Sequence, residues 1–168
     1  TNINGLCRIA LDKLKKTYEQ DIQEKNIRIV FDNLTLSLMM EVNVEQFSKV
    51  LAGILKNSMY ALLKKSETVT FSPEIFLGLK VNKDMLEITI RDNGSGIDEN
   101  IKDKIFAPFF TTKTTGEAAG VGLYLCREIV QNHRGTIEVE SKKGEYTQFL
   151  ITIPVYQPKT ITPPKEEE

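Results

Sequence analysis

The sequence has no tryptophan, one histidine and two cysteines in 168 residues, and its net charge is −1. No lysine or arginine cluster forms a stripe, so the electrostatic footprint of a nucleic-acid-binding surface is missing. No apolar run approaches the roughly 20 residues that a membrane span needs, and Thr1 does not open a charged-then-apolar signal pattern. These absences predict a soluble domain with neither a nucleic-acid partner nor membrane contact of its own. Cys7 and Cys126 each sit in a helix-like apolar pattern without metal-ligand spacing, so both read as core thiols in a reducing compartment, with no disulfide. What is present, 40% hydrophobic and 27% charged residues, is enough for one domain around one core and too little for two.

Cys7, Leu11, Leu14, Tyr18 and Ile22 recur at helical spacing and predict an amphipathic surface helix. Two alternating runs follow, Ile27-Ile29-Phe31 and Leu36-Leu38-Met40-Val42, which predict a hairpin or neighbouring strands around Asp32-Asn33. Phe47, Leu51, Ile54, Leu55, Ser58 and Leu62 mark the buried face of a helix from about Glu45 to Lys64. Ile75-Leu77-Leu79-Val81 and Leu86-Ile88-Ile90 alternate around Asn82-Lys83-Asp84, a hairpin signal, and the second strand runs into Asp92. Residues 107–119 lack apolar periodicity beyond Phe109 and Phe110 and predict a mobile loop. A last helix from about Gly120 should bury Leu125, Cys126, Ile129 and Val130, with Gly135 in the left-handed position after its end. The strands Ile137-Val139 and Phe149-Ile151-Ile153 close the order. The proline-rich, acidic stretch beyond Pro154 predicts a disordered tail over 157–168.

Four segments are suited to chemistry. Asn57 has Gly53 and Ala61 four residues to either side, which leaves room beside an amide carbonyl that can serve as a neutral oxygen ligand for Mg²⁺. A solvated or capping asparagine explains the same residue without function. In Asp92-Asn93-Gly94-Ser95-Gly96-Ile97 a carboxylate ends an apolar strand, and two glycines permit close backbone approach. Such a carboxylate can accept from adenine's exocyclic amine and would face guanine's carbonyl, acceptor against acceptor. The plain alternative is an Asp-Asn-Gly turn. Ile105-Phe106-Ala107-Pro108-Phe109-Phe110-Thr111-Thr112-Lys113 joins aromatic anchors to a polar tract whose Lys113 can reach phosphate or remain a solvated loop cation. Gly116, Gly120 and Gly122 precede a helix start, where exposed N–H groups and the positive dipole end favour an anion such as triphosphate. His133, in Asn132-His133-Arg134-Gly135, reads as a helix-end residue rather than a phosphoacceptor.

Taken in this order, Asn57, Asp92 to Gly96, Phe106 to Lys113 and Gly120-Val121-Gly122-Leu123 resemble the four boxes of sensor histidine kinases. The resemblance covers about Glu45 to Pro154, and Phe-x-Pro-Phe-Phe-Thr-Thr-Lys looks most like the nitrogen-regulation and dicarboxylate-sensing branch. It implies the ATP-binding fold shared with gyrase, heat-shock chaperone and mismatch-repair ATPases. That fold is an α+β two-layer sandwich, a mixed, mostly antiparallel sheet packed against three helices beneath a flexible ATP lid. By the same resemblance Asn57 coordinates Mg²⁺ and acts with Lys113 in transfer. Asp92 reads adenine, while Ala61, Gly94, Gly96, Ile97 and Thr147 line the base pocket. Phe109, Thr112 and Lys113 reach ATP from the lid, and Gly120, Val121, Gly122 and Leu123 cradle the phosphates.

Three positions depart from the family pattern: Gly53 replaces a common asparagine, Ala107 an acidic residue and Ala118 a lid glycine. Hydrolysing relatives carry a glutamate four residues before the Mg²⁺ asparagine, and Gly53 cannot take a proton from water. The resemblance therefore implies γ-phosphoryl transfer to a histidine on a separate dimerisation domain of the same, homodimeric protein, followed by a response-regulator receiver domain. The cytoplasm is the expected location. Residues 1–25 are expected to be a linker helix from that upstream domain and 26–156 the ATP-binding domain, so the chain should bind ATP without phosphorylating itself. Two other readings share the fold, a nucleotide-binding module without catalysis and a serine kinase of the anti-sigma type.

Overall fold

The structure, a computed structural model, describes residues 1–108 and 121–156. In chain order it contains α1 (Ile3–Thr17), α2 (Glu19–Glu24), β1 (Arg28–Asp32), α3 (Val44–Ser66), β2 (Glu74–Asn82), β3 (Met85–Asp92), a 3₁₀ turn at Lys102–Lys104, α4 (Val121–Asn132), β4 (Thr136–Lys142) and β5 (Tyr146–Pro154). Asn2 and Asn43 cap α1 and α3, their side-chain oxygens accepting from Gly5 and Gln46 N–H at 3.3 and 3.0 Å.

The five strands form one sheet in the order β1-β2-β3-β5-β4, antiparallel except where β1 joins β2 in parallel. Alternation sends Ile75, Leu77, Ile88, Ile90, Phe149, Ile151 and Ile153 into the core. α3 supplies the facing apolar stripe, Phe47, Val50, Leu51, Ile54, Leu55, Met59 and Leu62, and both α1 and α4 pack against it. This is the expected two-layer sandwich. Ile3, Leu6, Cys7, Leu11 and Leu14 of α1 are buried in the same hydrophobic cluster as the sheet.

Four local expectations need correction. Residues 36–42 form no strand beside β1; Leu38 O and Met40 N–H bond instead to Ile3 and Thr1, and β1 pairs with β2. Alternation in that run is genuine, with Met40 buried and Leu36 81% exposed, but a period of two reports extended chain and not its partner. The first helix breaks at Tyr18 (φ −111°, ψ 27°), leaving α2 as a separate short turn of helix. On α4 the buried residues are Cys126, Ile129 and Val130 with Leu123 half-buried, while Leu125, about 100° round the helix from Cys126, is exposed. The left-handed residue after α4 is Arg134 (φ 60°), not Gly135. Gly135 and Arg134 N–H bond to Val130 and Gln131 O, both at 2.9 Å, a Schellman ending. Gly135 is needed for proximity instead, since a Cβ there would lie 2.4 Å from Thr152 O. The expected tail, 157–168, lies outside the described residues; Pro154 ends β5 opposite Met85.

Candidate functional site

β3 delivers Asp92 to the edge of the core, where its side chain is only 2% exposed. Burial pushes its carboxyl up from the ordinary 3.8 to about 7, against the opposing pull of the Gly94 N–H, the Ser58 hydroxyl, Arg91 and Lys65. Gly94 N–H donates to Asp92 Oδ1 at 2.9 Å. Ser58 on α3 is near enough to favour the ionised carboxyl, yet its buried Oγ completes no hydrogen bond of good geometry. A hydroxyl facing a carboxyl without an aligned bond still contributes electrostatically. Thr147, 4% exposed, stands opposite Asp92 in the β3–β5 register and on the same face of the sheet. A buried acceptor beside an unpartnered hydroxyl is suited to a polar ligand or a water.

The segment after Asp92 is held from both sides. A Cβ on Gly94 would lie 2.5 Å from the Ala61 carbonyl carbon, and Ser95 N–H donates to Ala61 O at 3.1 Å, so glycine and alanine together let this loop rest on α3. On the other flank Gly96 has φ +66°, and a Cβ there would meet Lys142 O at 2.2 Å. Ile97 N–H donates to Ser141 Oγ at 2.8 Å, Gly144 N–H to Ser95 O at 2.6 Å, and Lys143 pairs with Asp98 at 3.0 Å. Asn93 closes the base of the loop: its Oδ1 accepts from Glu74 N–H and its Nδ2 donates to Ser72 O, both at 2.8 Å, while Lys65 Nζ donates to Asn93 O at 3.0 Å.

Asn57 is half-buried one residue before Ser58 and one turn before Ala61, and no hydrogen bond among the described residues engages its amide. Gly53, a turn earlier, faces α4, where an added Cβ would be 3.3 Å from Cys126 Sγ. Leu123 packs on the core, whereas Gly122 is exposed with open space at its Cβ position. Phe106 meets the ring of Phe149 edge-on at 6.3 Å and lies under the Arg127 guanidinium at 5.6 Å. The expectations for Phe109, Thr112, Lys113, Gly116, Ala118 and Gly120 fall outside the described residues, and Val121 is placed only as the first residue of α4. His133 is committed to backbone: Nδ1–H donates to Ile129 O at 2.7 Å, and Nε2 accepts from Asn43 N–H at 3.1 Å.

The structure thus brings Ala61, Asp92, Gly94, Gly96, Ile97 and Thr147 around one end of the α3–sheet interface, with Asn57 one turn before Ala61 on α3. Sequence reasoning missed Ser58, Asn93 and Ser141 as contributors. A hydroxyl on the apolar stripe of α3 was the available signal for Ser58; Ser141 gave none. Among the described residues no cluster of three or more His, Cys, Asp or Glu side chains is arranged to hold a metal, and no helix is long and apolar enough to cross a membrane.

Residues 43–157 match the family described as histidine kinase-, DNA gyrase B- and HSP90-like ATPase. Cyanobacterial phytochrome A of Nostoc sp. (strain PCC 7120) is 35% identical over 149 residues, which is 87% of this chain and 18% of that protein. Sensor histidine kinase ZraS of Salmonella typhi is 29% identical over 154 residues, 92% of this chain and 30% of that protein. The chain therefore spans less than a third of the length of these relatives. Among solved structures, the nucleotide-free catalytic domain of histidine kinase ThkA superposes with a TM-score of 0.73 at 28% identity, covering 92% of this chain and 93% of that one.

Proposed function

Because the chain belongs to the family of histidine kinase-, DNA gyrase B- and HSP90-like ATPases, we propose that it holds Mg²⁺-ATP and presents the γ-phosphoryl group to a histidine on a dimerisation domain elsewhere in the parent protein. The phosphoryl group then passes to a response-regulator receiver domain. The observation that carries the base-reading part is the buried acceptor Asp92, with the unpartnered Ser58 hydroxyl beside it and the Gly94–Ala61 contact forming the wall. Asp92 accepts from the exocyclic amine of adenine and meets a 6-carbonyl with acceptor against acceptor.

Asn57 fits Mg²⁺: its amide is uncommitted among the described residues, and a neutral carbonyl oxygen suits an ion that takes its other ligands from phosphates and water. When bound, Mg²⁺ neutralises the charge on the transferring group. Gly122 leaves the first turn of α4 open, where N–H groups and the dipole favour phosphate. By the resemblance, Lys113 would meet the phosphates as a point charge. In the transfer, a P–N bond to imidazole forms as the bond to the ADP oxygen breaks, and ADP leaves with that electron pair. Positioning dominates such a reaction. Gly53 offers no base for water, which favours transfer over hydrolysis.

The test is calorimetric titration with Mg²⁺-ATP, followed by incubation with γ-labelled ATP and the parent's histidine-bearing domain. Binding followed by an acid-labile, base-stable label on that domain is expected. Binding without label would leave a nucleotide-binding module, and an acid-stable label would point to a serine kinase.

A further inference from the structure

Ser141, near the end of β4, is half-buried, and its Oγ has three neighbours: Tyr146 O at 2.7 Å, Ile97 N at 2.8 Å and Thr147 Oγ1 at 3.1 Å. A hydroxyl has one proton and two lone pairs, and a carbonyl oxygen only accepts. The 2.7 Å contact with Tyr146 O therefore consumes the Ser141 proton. Ile97 N–H takes one lone pair. The second can be met only by the proton of Thr147, so Thr147 donates to Ser141.

That assignment fixes what Thr147 offers elsewhere. Its single proton is turned towards β4, and its lone pairs remain for the proposed base site beside Asp92, directly opposite in the β3–β5 register. Both side chains are almost fully buried, so neither orientation is averaged out by solvent.

We propose that Ser141 is a positioning residue for nucleotide selectivity: by holding the Thr147 proton on β4, it makes Thr147 an acceptor towards the base, so that Asp92 and Thr147 together favour a 6-aminopurine over a 6-oxopurine. The proposal rests on the ATP reading above. The same hydroxyl fixes the backbone at Ile97, tying the direction of the pocket's hydrogen bonds to the placement of the loop that forms its wall. Loss of the Ser141 hydroxyl frees the Thr147 proton to turn towards the proposed base site, where it can donate to a 6-carbonyl.

The experiment is parallel titration of the 168-residue chain with ATP and with inosine triphosphate, which carries a 6-carbonyl, folding being checked by circular dichroism. The wild type should prefer ATP. In Ser141→Ala the ratio of ATP to inosine triphosphate affinity should fall about five-fold or more, the scale of one reversed hydrogen bond. Ser141→Thr, which keeps the hydroxyl, should retain the ratio; a merely structural role would lower both affinities together. A folded Ser141→Ala with the wild-type ratio overturns the proposal and leaves the ATP reading intact. If Ser141→Ala does not fold, Thr147→Val should lower the ratio of ATP to inosine triphosphate affinity that Thr147→Ser keeps, and a folded Thr147→Val with the wild-type ratio is equally fatal. A wild type that binds neither nucleotide overturns the ATP reading and this inference with it.

Discussion

Asp92 is held in a place that opposes its charge, and that opposition is measurable. Its folded pKa, about 7, is above the ordinary 3.8, so the native state binds more protons than the unfolded chain between those values. The contribution to stability is fully present below about 3.8 and is lost as pH rises through about 7. Asp92→Asn should therefore raise stability at pH 8 by about 1–3 kcal/mol and flatten the pH dependence across that window, while abolishing most ATP affinity. Urea unfolding at several pH values and nucleotide titration would check both; a less stable, ATP-binding variant would contradict the assignment. Asp92 was legible because a carboxylate at the end of an apolar strand followed by two glycines is an unusual local pattern. The Asn93 clamp and the Ser141 bond were not, because their partners lie 19 and 44 positions away in sequence.

Among the elements, α3 and the β2–β3 hairpin were legible almost to their ends, since each carries a long unbroken period and a cap or turn signal. The pairing of β1 was not. Its alternation matches that of residues 36–42 equally well, and the choice of β2 is made by which apolar edge is available in three dimensions. The end of α4 shows the same limit: Gly135 marks the stop, but the positive φ falls on Arg134. Arg134→Gly should stabilise by about 0.5–1 kcal/mol, because glycine has no Cβ penalty there. Gly135→Ala should destabilise, because its methyl group would press on the backbone of β5. Chemical denaturation of the two variants should show opposite signs.

At the scale of the molecule, α1 and α4 lie on the same buried cluster although they are far apart in the chain. Burial pushes the thiols of Cys7 on α1 and Cys126 on α4 up to about 12. Both should resist alkylation at pH 8 in the native state and react together as urea passes the unfolding midpoint. Labelling of Cys7 well before Cys126 would mean that α1 opens on its own, and mass spectrometry of partly labelled chains distinguishes the two. The single core was legible from length and composition; the integration of α1 into it was not, because an amphipathic stripe does not declare which surface will cover it.

The contact between Gly53 and Cys126 also constrains what this protein can become. By the family resemblance, water-driven turnover would call for a carboxylate at residue 53, and a Cβ there would lie 3.3 Å from the Cys126 sulfur, which would have to give by a few tenths of an ångström. Gly53→Glu alone should lose stability, and Cys126→Ala should recover part of that loss in a double-mutant cycle. On the proposed reading, the route from transfer to hydrolysis thus runs through two coupled changes on different helices.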